Sequence, residues 1–231
     1  MPQSDQVVVF DLDDTLYKER DYVSSGVAAV IKQCQALGLI DQLREDQPFV
    51  PDIVGGKFID ALCEHLGLSA RLQQSLLWMY RLHEPSICLD EATRAALQNI
   101  CAKVNSIAII TDGRAASQRL KIKALGLDDI PAFVSEEFEF GKPAPDMFLA
   151  VERRWPGCRY AYVGDNTSKD FVAPNALGWL TVGLRDDGSN IHRQRRHTEV
   201  MPAYLPKAWV QTFAELPEFL FGNPLAKETS I

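Results

Sequence analysis

The chain has 231 residues, of which 46% are hydrophobic. This composition is typical of a globular protein with a full core and argues against extended disorder. The formal net charge of -7 disfavours binding to a nucleic-acid polymer, which usually requires a basic face. No apolar run approaches the ~20 residues that cross a bilayer, and the start "MPQSDQ" lacks the pattern of a signal peptide, so we expect no membrane partner.

The cysteines are scattered along the chain, and none forms the CxxC spacing of a zinc site. Their odd number also argues against a disulfide framework. We therefore expect reduced, mostly buried thiols and a cytoplasmic location. The five cysteines are Cys34, Cys63, Cys88, Cys101 and Cys158.

Short apolar runs predict β-strands, because continuous runs of this length are typical of strands buried on both faces of a parallel sheet. Between the later runs, apolar residues recur at helical spacing, and glycine ends two of these patterns. Such strand–helix alternation is typical of a doubly wound α/β core. The predicted strands are residues 7–10, 107–110, 132–134, 160–163 and 180–184, and the predicted helices are residues 91–103, 115–127, 145–155 and 170–178.

Nearly a hundred residues separate the first predicted strand from the second, and they contain no convincing strand. A structureless loop of that length would be implausible in a compact domain. We therefore predict an α/β core with a doubly wound parallel sheet, formed by residues 1–19 and 88–231, and a small α-helical domain inserted at residues 20–87. Helical spacing within the insertion covers residues 21–39, 56–68 and 69–84.

Within the insertion, Trp78 and Met79 stand at helical spacing, which favours a place in the core of that domain. The nearby Arg81 and His83, or Tyr22, could contact a substrate, but no feature of the sequence favours one of them.

The segment after residue 184 has a weaker pattern: a polar loop, then a short strand in "AWVQ" and a helix in "FAELPEFLF". The basic patch at 192–196 could contact phosphate, although a solvated loop is the simpler interpretation.

Polar side chains follow four of the predicted strands, at the point where each strand ends. Chemistry in parallel α/β sheets gathers beyond the carboxyl ends of the strands, so we expect these side chains at one edge of the sheet. In strand order the set is Asp11, Asp13 and Asp14, then Thr111, Asp112 and Gly113, then Lys142, and then Asp165, Asn166 and Asp170.

Asp11 and Asp13 can face one reacting centre, because residues i and i+2 of an extended segment point the same way. Asp11 and Asp165 would supply carboxylates for Mg²⁺, which prefers oxygen ligands. Without a cation, packed carboxylates would repel one another and raise each other's pKa. With it, Asp11 stays ionised and can act as a nucleophile toward a phosphate ester.

The same residue types fit phosphoryl transfer through an aspartyl-phosphate intermediate. Its loose transition state spreads charge over the equatorial oxygens, so electrostatic stabilisation is the main requirement. Lys142 and the Thr111 hydroxyl, with backbone N–H groups around Asp112 and Gly113, are suited to that task. Asp13 could protonate the leaving alkoxide and then accept a proton from the attacking water.

Asp14 and Thr15 are expected to have structural roles, through local hydrogen bonds that fix the turn after the first strand. Asp170 could support the metal ligands without contacting the ion, or it could only cap the N-terminus of a helix.

The segments "DLDDT", "TDG", "GKP" and "GDNTSKD", in this order and each behind a predicted strand, resemble the four motifs of the haloacid dehalogenase (HAD) superfamily of hydrolases. The resemblance covers residues 6–18 and 90–220. It implies a Rossmann-like core, and it matches the inserted helical segment to the family's type C1 cap by position alone.

The resemblance implies Asp11 as the nucleophile, Asp13 as the acid/base, and Thr111 and Lys142 as phosphate ligands. At position 112 many relatives carry asparagine, whereas this chain has Asp112. The departure is tolerable if only the backbone N–H contacts phosphate, but a carboxylate facing the substrate would weaken anion binding.

A magnesium site is also implied, with the Asp11 and Asp165 carboxylates and the backbone carbonyl of Asp13 as ligands. Asn166 and Asp170 would support it.

The presence of Asp13 favours a phosphatase, since dehalogenases of the family lack the second aspartate. The leading expectation is a Mg²⁺-dependent hydrolase of a small phosphorylated metabolite, such as a nucleotide monophosphate, a sugar phosphate or phosphoglycolate. A phosphomutase of the same family is an alternative, and a non-catalytic phosphate-binding or interaction module is a third. The oligomeric state stays open.

Overall fold

The structure is a computed structural model that describes residues 4–39, 56–194 and 201–222. The strands are β1 (Ser4–Phe10), β2 (Val104–Thr111), β3 (Ala132–Val134), β4 (Arg159–Gly164), β5 (Leu180–Leu184) and β6 (Ala208–Val210). The helices are α1 (Glu19–Ala36), α2 (Gly56–Leu66), α3 (Ala70–Leu82), α4 (Glu91–Cys101), α5 (Ala115–Ala124), α6 (Asp146–Arg154), α7 (Val172–Ala176) and α8 (Leu216–Phe221). None of these helices combines the length and apolar character needed to cross a membrane.

The strands form one parallel sheet in the order β3-β2-β1-β4-β5-β6. Val8 in β1 is in register with Ile107 in β2 and with Ala161 in β4, so β1 is paired along both sides. The strand order reverses between β1 and β4, which makes their carboxyl ends the topological switch point of the sheet. The predicted doubly wound parallel α/β fold is confirmed.

Apolar residues bury both faces of β1. Val7 and Val9 belong to one fully buried cluster with Met147 and Phe148 of α6. Phe10 points to the opposite face because side chains alternate along a strand, and its ring lies 5.5 Å from the ring of Phe213. This two-sided burial explains why the strand is a continuous apolar run.

The start of α4 shows how local sequence sets the helix bounds. Asp90 precedes the helix, and its carboxylate accepts hydrogen bonds from the Thr93 backbone N–H at 2.8 Å and the Thr93 hydroxyl at 2.7 Å. The first of these bonds satisfies a backbone N–H that the first turn of a helix leaves without an intrahelical acceptor.

The chain divides into two compact units. The described parts of 1–17, 89–113 and 129–231 form the α/β unit, and the described parts of 18–88 and 114–128 form a helical unit. Helix α5 therefore groups with the helical unit, which the sequence pattern did not predict. The boundaries at 19/20 and 87/88, and the role of the insertion as a cap, stay predictions.

An aromatic cluster joins α1, α3 and α5 within the helical unit. The Tyr22 ring lies 5.8 Å from the ring of Tyr80 and 4.9 Å from that of His83, and Lys121 Nζ lies 4.2 Å from the Tyr22 ring centroid. His83 Nδ1 lies 2.6 Å from the Tyr80 carbonyl and donates to it, which leaves Nε2 to accept from the Ser25 hydroxyl at 3.1 Å. His83 is thus a buried structural residue.

The prediction of a core position is wrong for Trp78. Trp78 is 42% exposed and Met79 is half-buried. The buried side of α3 runs through Leu76 and Tyr80, four residues apart, so position 78 falls on the outer side of the helix. There the Trp78 ring lies near two guanidinium groups: Cζ of Arg81 is 5.3 Å from the ring centroid, and Cζ of Arg114, just before α5, is 5.7 Å from it.

The cysteines are free thiols, but the expectation that most are buried is also wrong. Cys34 and Cys63 are buried inside the helical unit, whereas Cys88 and Cys101 are exposed and Cys158 is half-buried. Scattered cysteines carry no pattern that indicates burial, so sequence alone could not separate these classes.

Candidate active site

The Asp11 side chain lies where β1 ends. Its backbone N–H donates to the Val163 carbonyl of β4 at 2.8 Å, which extends the sheet by one residue and fixes the Cα position. The next residue, Leu12, is fully buried, so Asp11 and Asp13 flank a side chain anchored in the core. The Asp11 carboxylate is itself buried, with 5% of the residue exposed.

The turn after β1 is held by its backbone and by a distant loop. The Leu16 N–H donates to the Leu12 carbonyl at 3.0 Å, and both leucine side chains are buried. Asp14 has a φ of 55°, in the left-handed region where aspartate is tolerated. Its carboxylate accepts from the distant Ile191 N–H at 3.0 Å, a bond that the sequence did not predict. The Thr15 hydroxyl, expected to bond locally, is buried without a hydrogen bond to any described residue.

The Lys142 ammonium joins three buried groups. Nζ lies 2.7 Å from Asp11 Oδ1, 2.7 Å from Asp170 Oδ1 and 3.1 Å from the Tyr162 hydroxyl. Burial by itself would lower the pKa of Lys142, but the carboxylates of Asp11 and Asp170 outweigh that effect and raise the pKa well above its usual value. Lys142 is therefore a fixed positive charge beside Asp11.

Asp165 and Asp170 come from the segment after β4. Asp165 Oδ2 accepts from the Asn190 side-chain amide at 2.9 Å, and the Asp165 carbonyl accepts from Gln194 Nε2 at 2.8 Å. Asp170 is fully buried, and its Oδ2 accepts from the Asn166 backbone N–H at 2.8 Å. Both oxygens of Asp170 are thus engaged, one by Asn166 and one by the Lys142 ammonium.

The three carboxylates fit a divalent cation. One oxygen from each of Asp11, Asp165 and Asp170 lies within 4.8 Å of the others. Burial raises the pKa of Asp11 to about 7 despite Lys142, and burial, Asp170 and Asp11 raise the pKa of Asp165 to about 9. The raised pKa values of Asp11 and Asp165 indicate that this buried site lacks positive charge, which a cation would supply. Among the described residues, Asp11 Oδ2 and Asp165 Oδ1 accept no hydrogen bond, so these oxygens suit metal coordination.

The carboxylate of Asp112 holds the loop that carries Lys142. Oδ1 accepts from the Lys142 backbone N–H at 3.0 Å, and Oδ2 lies 3.0 Å from Lys169 Nζ. Lys169 therefore compensates a charge that an asparagine would not bring. The backbone N–H of Gly113, a predicted phosphate donor, donates to the Ser135 hydroxyl at 2.9 Å, while Thr111 is buried at the end of β2.

Five contributors to this edge of the sheet were not predicted. Tyr17, whose hydroxyl donates to Asp13, and Tyr162 were not predicted because hydrophobic patterns count tyrosine as a core residue. Asn190 and Gln194 lie in a loop whose polar composition has no periodicity, so no sequence signal distinguishes them from solvated residues. Lys169 stands inside the recognised segment "GDNTSKD", and the extra negative charge at position 112 was a signal that could have pointed to it.

The basic patch at 192–196 lies only partly within the described residues. His192 and Arg193 are exposed, and 195–196 fall outside the description. Gln194, in the middle of the patch, also donates to the Leu184 carbonyl at 2.5 Å and accepts from the Asp186 N–H at 3.1 Å.

Residues 6–178 match the haloacid dehalogenase-like hydrolase family. The chain belongs to this family. A glyceraldehyde 3-phosphate phosphatase of Methanocaldococcus jannaschii is 27% identical over 192 residues, which span 77% of this chain and 83% of the relative. A ribulose-1,5-bisphosphate 5-phosphatase of Halopiger xanaduensis is 30% identical over 200 residues, which span 76% and 82%.

The fold has counterparts among solved structures of the family. YfnB from Bacillus subtilis, solved bound to magnesium, superposes with a TM-score of 0.67 at 21% identity and covers 94% of this chain and 99% of that chain. Family and relatives together make this HAD member a phosphoric monoester hydrolase.

Proposed function

We propose that this HAD hydrolase cleaves a small phosphorylated sugar, using Mg²⁺ and an aspartyl phosphate formed on Asp11. The observation that carries the proposal is the buried contact of Lys142 with both Asp11 and Asp170 beside the Asp165 carboxylate. The two curated relatives, one named for a triose phosphate and one for a pentose bisphosphate, support the substrate class.

Asp11 is the proposed nucleophile. Lys142 contacts its Oδ1 at 2.7 Å, and this ion pair holds the carboxylate in place for bond formation with phosphorus. The new O–P bond forms as the bond to the leaving alkoxide breaks, and water then attacks phosphorus to release phosphate and regenerate the carboxylate. Because the Asp11 N–H donates to β4, the Cα that carries the proposed nucleophile keeps its position through both steps.

Asp13 is the proposed acid/base. It gives a proton to the leaving alkoxide in the first step and takes one from the attacking water in the second. Lys142, the Thr111 hydroxyl and backbone N–H groups around Asp112 would bind the phosphoryl oxygens.

The magnesium ion would be held by Asp11, Asp165 and the backbone carbonyl of Asp13, with Asn166 and Asp170 behind them. When bound, it supplies positive charge that offsets the carboxylates and the dianionic ester. Asn190 fixes the rotamer of Asp165, and orienting bonds of this kind affect metal affinity.

The helical unit is proposed to act as the family's type C1 cap, which closes over substrate and selects the leaving group. Its insertion directly after the "DLDDT" segment supports this role.

The deciding experiment for the mechanism is Asp11→Asn, which keeps the shape of the side chain and removes its charge. We expect hydrolysis of phosphate esters to fall below a few per cent of the wild-type rate with unchanged circular dichroism. Asp128→Asn, which changes an exposed carboxylate, is the matched control and should retain activity. An active Asp11→Asn enzyme would exclude Asp11 as the nucleophile.

The metal dependence can be measured directly. EDTA should stop phosphate release and Mg²⁺ should restore it, whereas rescue by Zn²⁺ alone would contradict an all-oxygen site.

The substrate class needs a separate measurement. In a panel of phosphorylated sugars, nucleotides and carboxylic acids ranked by kcat/KM, we expect the sugar phosphates to rank first.

A further inference from the structure

We propose that Tyr17 is a positioning residue that orients the Asp13 carboxylate for proton transfer to the leaving group. The inference rests on the proposed function, since it takes Asp13 as the acid/base. It assigns a role to a residue outside the predicted set of catalytic and binding groups.

The contact between the two side chains is direct. The Tyr17 hydroxyl donates to Asp13 Oδ1 at 2.5 Å. Tyr17 is buried, with 6% of the residue exposed, whereas Asp13 is only half-buried. The buried Tyr17 hydroxyl thus restricts rotation of the partly exposed Asp13 carboxylate.

The position of the phenol is set by the turn between the two residues. Leu12 and Leu16 are both anchored in the core and are joined by a backbone hydrogen bond of 3.0 Å. The left-handed conformation of Asp14 and its bond to the Ile191 N–H fix the turn from the other side. The backbone of Asp13 also pairs with that of Tyr17 in an isolated β-bridge. This pairing restricts the position of the Tyr17 hydroxyl beside the Asp13 carboxylate.

This arrangement has a specific chemical consequence. A general acid helps only when the leaving group needs a proton, and its help is worth about 10²–10⁴ in rate. Alkyl phosphates expel a strongly basic alkoxide, whereas p-nitrophenyl phosphate expels a stable phenolate. Misorienting Asp13 should therefore slow the first kind of substrate far more than the second.

The test is Tyr17→Phe, which removes the hydroxyl and keeps the ring in the core. We measure kcat/KM with Mg²⁺ for p-nitrophenyl phosphate and for glycerol 3-phosphate, because kcat/KM reports steps up to phosphoryl transfer. We expect kcat/KM to fall about tenfold on the alkyl phosphate and by about twofold or less on p-nitrophenyl phosphate.

Two further variants make the result interpretable. Tyr160→Phe removes another tyrosine hydroxyl of the α/β unit, one that donates to the Trp155 carbonyl, and should affect both substrates equally and slightly. Asp13→Asn should show the same selectivity as Tyr17→Phe but to a larger degree, and adding Tyr17→Phe to it should cause no further loss.

The outcomes separate this inference from the proposed function. Equal losses on both substrates in Tyr17→Phe, with a selective loss in Asp13→Asn, would overturn the role of Tyr17 and leave the mechanism standing. A non-selective loss in Asp13→Asn would overturn the acid/base role and the Tyr17 inference with it. Additive losses in the double variant would likewise show that Tyr17 does not act through Asp13.

Discussion

The Asp112 carboxylate connects two lysines of the candidate site. Its two oxygens contact the backbone N–H of Lys142 and the ammonium of Lys169. An asparagine could still accept the first bond through its amide oxygen, but it could not balance the second charge. Asp112 and Lys169 therefore act together to set the loop from which Lys142 reaches Asp11.

Replacing Asp112 should separate these two contacts. Asp112→Asn keeps an acceptor for the Lys142 N–H, whereas Asp112→Ala removes it and frees the loop. We expect kcat to fall about tenfold further in the alanine variant than in the asparagine variant, the equivalent of one hydrogen bond to the loop. Steady-state kinetics on p-nitrophenyl phosphate would measure it, and equal rates in the two variants would contradict a positioning role.

At the carboxyl end of β4, Asp170 packs against the backbone of Gly164, where a side chain would collide with it. A Cβ on Gly164 would lie 2.6 Å from Asp170 Oδ2. Gly183 in β5 is equally crowded, with Trp209 at 2.5 Å, but no predicted site residue is among its close neighbours. A side chain at either glycine would therefore overpack its strand, but only at Gly164 would it displace a residue of the candidate site.

We expect Gly164→Ala and Gly183→Ala to lower the free energy of unfolding by similar amounts, about 1–3 kcal/mol, because each overpacks a buried strand. Only Gly164→Ala should also lower kcat, since it displaces the partner of Lys142. Urea denaturation and steady-state kinetics on the same preparations would test this, and an equal loss of activity in both variants would contradict it.

Helices α1 and α3 enclose His83, and its burial gives the helical unit a pH dependence. Desolvation lowers the pKa of His83, the Tyr80 carbonyl partly opposes that, and Lys121 lowers it further. In the unfolded chain a histidine has a pKa of about 6.5, whereas in the folded protein the pKa of His83 is lower. As the pH falls through about 6.5, the unfolded chain therefore binds a proton that the folded protein does not, and the free energy of unfolding decreases.

Urea unfolding at about pH 7.5 and about pH 5.5 should therefore show a larger loss of stability on acidification in the wild type than in His83→Gln. His192→Gln, at an exposed position, is the matched control and should follow the wild type. A His83→Gln variant with an unchanged pH dependence would contradict this expectation.

For the whole molecule, the strand runs and the four polar segments behind them were enough to predict the α/β core and to bring Asp11, Lys142, Asp165 and Asp170 together. These predictions succeeded because burial on both faces leaves a continuous apolar run and because parallel strands end at one edge. Other features depend on contacts between segments distant in the chain, such as Asn190 with Asp165 or the grouping of α5 with the insertion. A single sequence does not encode such pairings in any local pattern.

The buried carboxylates also predict a thermal effect of the metal. An ion that binds only the folded state stabilises it by mass action, so Mg²⁺ at about 100 times its Kd should add about 2.7 kcal/mol. We expect differential scanning calorimetry to show a rise in Tm with Mg²⁺ in the wild type and a much smaller rise in Asp165→Asn. An identical rise in Asp165→Asn would place the ion elsewhere.

The strand order has a consequence for how the protein loosens before it unfolds. Asp11, the proposed nucleophile, follows β1, which has a neighbour on each side, whereas β3 and β6 are three-residue strands at the rims of the sheet. Amide hydrogens in the rim strands should exchange with deuterium through small openings, while those of β1 should exchange only in the global transition. We therefore expect opening of the rim strands to leave the backbone before Asp11 undisturbed.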